Sequence, residues 1–144
     1  MIAALVLVVA LQGQQAVVEG GPPPKPVPTN APAALPATPQ AARVKAYIEA
    51  FNTGDEAKFL KAQDEIMSPG ALARRPPADR ARMFARMRGD FGTLKILRAT
   101  ATAEQIRAVV PDRDGNEAIF TFDFETAAPY KIRGIAVDIG NRER

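Results

Sequence analysis

The 144-residue sequence contains neither cysteine nor histidine, which excludes disulfides, thiolate nucleophiles, Cys/His zinc sites and imidazole acid–base catalysis. Nineteen Lys and Arg against sixteen Asp and Glu leave a net charge of +3, an excess that permits a polyanion partner without requiring one. Once the first forty residues are set aside, about a hundred remain, enough for one independently folding domain.

Met1 to Leu11 is an unbroken apolar run, too short to span a bilayer as a helix but of the length of a signal-peptide core. The expectation is a signal peptide over residues 1–16, with Ala16 the nearest small residue for cleavage, and a periplasmic or secreted protein. Membrane association would then come only through an uncleaved leader. The competing reading is a buried N-terminal strand or helix. Residues 17–39 form a linker: from Gly21 to Pro39 eight of nineteen residues are proline, which removes amide donors and favours extended polyproline II. A spacer explains this composition, and a proline-rich ligand for an SH3-like domain is the alternative.

Thr38-Pro39 offers a capping hydroxyl before a first-turn proline, and Ala41, Val44, Tyr47, Ile48 and Phe51 follow at helical spacing. This predicts an amphipathic helix that closes at Asn52-Thr53-Gly54. Asp55 caps a second helix with Phe59, Ala62, Ile66 and Met67 as its inner stripe, making an αα-hairpin. Ser68-Pro69 starts a short helical turn through Leu72, and Pro76-Pro77 precedes a long helix from Pro77 to Asp90 whose core face is Met83, Phe84, Met87 and Phe91.

Arg74, Arg75, Arg80, Arg82, Arg86 and Arg88 cluster here against Asp79 and Asp90. One reading makes Arg75, Arg82 and Arg86 an interaction surface for an anionic partner. The other makes the cluster a solvated face whose charges complement the helix dipole and whose stems cover apolar surface. Interleaved exposed aromatics and a glycine-rich cradle are both missing, so no nucleic-acid partner is expected.

Four strands follow, over Thr93–Thr100, Ala103–Val110, Glu117–Glu125 and Tyr130–Ile139. In the third, Ala118, Phe120, Phe122 and Phe124 fall at period two, and burying the three phenylalanines is worth about 1.5–3 kcal/mol each. Pro111 to Gly115 makes the preceding hairpin turn. In the last strand the apolar parity changes between Ile132 and Ile135, which predicts a β-bulge near Gly134. The expected fold class is α+β: N-terminal helices packed on a curved four-stranded antiparallel sheet, the domain covering residues 40–140 and a charged tail residues 141–144.

The stretch from Arg43 to Asp55, containing Phe51-Asn-Thr-Gly-Asp55, resembles the opening helix of NTF2-like (SnoaL-like, cystatin-like) domains. Arg86 to Leu94 and Tyr130 to Val137 look like a subset of that family. Its members are accessory domains placed before bacterial β-lactamase-related serine hydrolases or tail-specific-protease-like domains. The resemblance covers about residues 40–139. It implies a cone with a pocket between helices and sheet, and no catalytic residue to carry over.

Enzymatic members of the wider group place Asp, Tyr or His in the pocket. In this chain Asp123 has the opposite parity from the phenylalanines and should face away. Tyr47 lies on the core stripe, and Tyr130 has no partner identifiable from sequence. Ser68 is the sole serine and sits at a helix start, where its hydroxyl serves as a cap. Asp112 and Asp114 form a turn more readily than a calcium site. The expectation is therefore a non-enzymatic exported module with no cofactor or metal, which binds an unknown protein partner or forms a homodimer through the outer sheet face (Ile119, Thr121, Asp123, Glu125, Lys131, Arg133). The alternatives are a carrier of a small apolar ligand, with Tyr47, Phe51, Phe120, Phe122, Phe124 and Tyr130 as pocket candidates, and a SnoaL-like lyase or isomerase.

Overall fold

A computed structural model describes residues 35–140, so the expected signal peptide, most of the linker and the charged tail lie outside the described residues. Helix α1 spans Pro39–Asn52, with Thr38 accepting a hydrogen bond from the Ala41 amide at 3.1 Å. It buries Ala41, Val44, Tyr47 and Phe51, and Gly54, at φ +73°, takes the left-handed conformation just beyond its end. Asp55 caps α2, Glu56–Ile66, through the Lys58 amide at 3.1 Å. Its buried stripe is Phe59, Gln63 and Ile66. Ala62, expected on that stripe, is only half-buried, because the inward position is taken by Gln63, whose oxygen accepts from Arg80 at 3.5 Å.

Ser68 caps α3, Pro69–Arg74, by accepting from the Ala71 amide at 3.2 Å. The long helix α4 spans Pro77–Phe91 and buries Arg80, Phe84, Met87 and Phe91, leaving Met83 half-buried.

Four antiparallel strands follow in spatial order β1-β2-β3-β4: Arg98–Ala101, Gln105–Pro111, Glu117–Phe124 and Ile132–Asp138. The α+β class with a four-stranded antiparallel sheet is as expected, and the sheet stays open at both edges. The first strand begins at Arg98 rather than Thr93. The reason lies in Leu94, whose carbonyl and amide are both bonded to the Asn52 side chain at 2.9 and 2.7 Å. Its side chain is buried in the core, and backbone spent on α1 cannot pair with a strand.

Residues directly opposite in an antiparallel pair share a face. Ile106, Ala108 and Val110 of β2 oppose Phe122, Phe120 and Ala118, and Val137, Ile135 and Ile132 of β4 oppose Phe120, Phe122 and Phe124. The register shifts by one residue between Asp123 and Phe124. Arg133 is the extra residue, so the expected bulge lies beside Gly134 and brings Ile132 and Ile135 to one face. The hairpin turn is held by Asp112, whose carboxylate accepts from the Asp114 and Asn116 amides at 2.9 Å.

A groove between helix α4 and strand β4

The aromatic candidates pack against one another. Tyr47 lies edge-on to Phe59 and Phe122, with centroids 5.2 and 5.5 Å apart. Phe51 meets Phe59 and Phe84 in the same way at 5.6 and 5.5 Å, geometries that aromatic quadrupoles favour. Phe51, Phe120, Phe122 and Phe124 are at most 1% exposed, which leaves no surface for a ligand. These rings fill the space among Tyr47, Phe51 and the strand carrying Phe120, Phe122 and Phe124, where a ligand cavity was expected.

Tyr47 is buried with its hydroxyl 3.9 Å from the Met87 sulfur. Burial pushes that hydroxyl well above the ordinary phenol range, and the nearby Arg75 charge opposes this only in part. A phenol held neutral against a thioether makes a poor general acid or base. Tyr130 is half-buried at φ +55° beside a separate shallow depression formed with Gln40 and Glu104. Asp123 accepts from the Gln105 side chain at 2.9 Å and has the opposite strand parity from the phenylalanines. Ser68 is a helix cap. These candidate acids, bases and nucleophiles do not converge.

The open space lies elsewhere. A cleft of about 470 Å3 runs between α2–α4 and β4, with Tyr47, Met67, Met83, Met87, Ile135 and Val137 contributing apolar lining. It continues into a second depression of about 430 Å3, where Met83, Met87 and Val137 recur with Phe91 and Ile139. Together they make one groove floored by the last strand, because β4 runs out from under the helices. Ile132 is fully buried, Val137 is 39% exposed and Ile139 43%.

Arginines rim this groove. Arg74, Arg75, Arg80 and Arg133 line the deeper cleft, and no Asp or Glu is among its lining residues. In the outer part Arg82 and Arg86 are paired with Asp79 and Asp90 on their own helix. Arg80 belongs to the interior. Its side chain is 6% exposed and sits 3.0 Å from Asp64, while its nitrogens donate to the carbonyls of Arg75 and Leu60 at 3.1 and 3.4 Å. Arg88 is likewise structural, donating to the Gly92 carbonyl and lying 5.6 Å over the Phe51 ring. The arginine cluster thus divides into buried struts, self-paired surface charges and a rim.

Of the sequence candidates, the structure brings Tyr47, Arg75, Arg82 and Arg86 to the groove. Sequence reasoning missed Val137 and Ile139 as site residues, although their parity was visible. It also missed Arg74 and Arg133, which become neighbours only through the fold: Arg74 donates to the Arg133 carbonyl at 2.7 Å.

Among the described residues, no group of three or more Asp or Glu is placed to hold a metal ion, and no helix is long and apolar enough to cross a membrane. No protein-family model and no curated protein matches the chain.

Proposed function

We propose that this chain is an exported, non-catalytic NTF2-like module that binds a protein partner in the groove between α4 and β4. The observation that carries the reading is the groove itself. Among the described residues, Val137 and Ile139 are the large apolar side chains left exposed, and they lie beside Met83, Met87 and Phe91 under an arginine rim. An apolar centre with a charged rim is the anatomy of a protein-binding patch. The outer sheet face is a weaker surface, because Ile119, Thr121, Asp123, Glu125 and Lys131 are already half-buried. The apolar run at Met1 to Leu11 supports export, to the periplasm or outside the cell.

The test is affinity capture by the full chain from an extract of the native exported fraction. Val137→Asp and Thr121→Glu serve as paired variants. A partner retained by the wild type and by Thr121→Glu but lost with Val137→Asp is the expected result. Loss with Thr121→Glu alone would move the interface to the outer sheet.

A second reading, a carrier of a small apolar carboxylate, is favoured by Arg74, Arg75 and Arg133 in the same cleft, which form no ion pair among the described residues. Native mass spectrometry of the purified chain would show it as a bound molecule of fixed mass.

A further inference from the structure

Resting on the interaction-module reading, we propose that the partner enters the groove as an extended acidic and apolar segment, added as a fifth strand along β4. The outer edge of β4 is used only at its beginning: the Ile132 carbonyl accepts from the Ser68 amide at 2.9 Å and the Arg133 carbonyl from Arg74 at 2.7 Å. Beyond that, among the described residues, Gly134 to Val137 have no backbone partner other than β3. An edge strand with free amides and carbonyls is a template for another strand.

Here that edge forms one wall of the groove, since Gly134, Ile135, Ala136 and Val137 all line the cleft opposite Met83 and Met87. A segment paired with β4 would continue the sheet and send alternate side chains toward Met83 and Met87.

Charge selects the kind of segment. Arg74, Arg75 and Arg133 form no ion pair among the described residues, and the cleft they line contains no carboxylate. Asp or Glu on the segment would meet this end of the groove, whereas a basic segment would be repelled. A second copy of the chain fits less well, because its own β4 brings another Arg133 with one Asp138.

The experiment selects binders to the full chain from a random nonapeptide library displayed on phage, then synthesises the enriched peptides with and without N-methylation of alternate amides. Enriched peptides should alternate aliphatic residues with Asp or Glu, and N-methylation should weaken them at least tenfold by removing strand hydrogen bonds. Amide exchange should slow across Gly134 to Asp138 when peptide binds. Reversing both Arg75 and Arg133 to Glu should weaken binding by roughly tenfold or more, while Lys58→Glu on the exposed face of α2 should not.

Peptides that bind equally well when N-methylated overturn strand addition and leave the groove as the docking surface. Binding indifferent both to the two arginine reversals and to Val137→Asp overturns the groove reading too. Enrichment of basic sequences, an absence of any enriched peptide, or dimerisation of the chain alone through the Val137 edge overturns the proposed partner.

Discussion

Tyr47 carries a hydroxyl into the aromatic core with the Met87 sulfur as its acceptor. Replacing it with Phe at pH 7 removes a weak bond and a buried polar atom together, so stability should change by less than about 1 kcal/mol. The pH dependence is more telling. Burial raises the folded-state pKa of the hydroxyl, whereas in the unfolded chain it ionises near about 10. Its contribution is thus intact below that value and is lost as pH rises further, because the unfolded state releases the proton first. Urea unfolding at pH 8 and pH 11 should show a steeper alkaline decline in the wild type than in Tyr47→Phe. Arg80 presents the opposite case, a charge held inside by the Leu60 and Arg75 carbonyls, Gln63 and Asp64. Asp64 is 58% exposed and can rehydrate, so Arg80→Leu should cost only the lost hydrogen bonds and fit, about 2–3 kcal/mol by denaturant titration.

Three of the four described helices start where short side chains satisfy their first amides, which is why Thr38, Asp55 and Ser68 marked three boundaries in the sequence, while α4 starts at Pro76-Pro77 with no side-chain cap. Between α1 and α2 these local devices are concentrated, and Gly54 is the most sensitive of them. It sits at φ +73°, and a Cβ there would meet the Arg88 guanidinium at 3.2 Å. Gly54→Ala should cost about 1–2 kcal/mol from left-handed strain, and Asp55→Ala about 1 kcal/mol from the lost cap, both measurable as shifts in thermal midpoint.

Strand periodicity was equally local and gave the buried face of β3 and the phase change in β4. Tertiary decisions were not legible in this way. Nothing in the spacing of Leu94 announces that Asn52 takes both its backbone groups. Nothing around Gln63 announces an arginine from another helix. The groove was half legible: the parity of Val137 and Ile139 was plain, but their exposure depends on where α4 crosses the sheet, which no single-element pattern contains.

Across the whole molecule the sheet is covered unevenly, and the two regimes should respond differently to substitution. Phe122, opposite both Ile106 and Ile135, lies where helices and sheet meet. Phe122→Ala should cost about 3–5 kcal/mol. Val137, one strand over but 39% exposed, should tolerate Asp within roughly 0.5 kcal/mol, so equilibrium unfolding of the pair would separate core from groove.

The extra residue at Arg133 also makes the last strand's tolerance of a deletion depend on which residue is removed. Arg133→Ala keeps the residue count, so the strand keeps its phase. Removing Arg133 altogether would leave Ile132, Gly134 and Ile135 opposite Phe124, Asp123 and Phe122 in an unbroken ladder, each on its present face, whereas removing Ala136 would send Val137 and Ile139 outward and Asp138 inward. The chain lacking Ala136 should consequently bind a hydrophobic dye and aggregate, while the chain lacking Arg133 and the alanine variant stay monodisperse in light scattering.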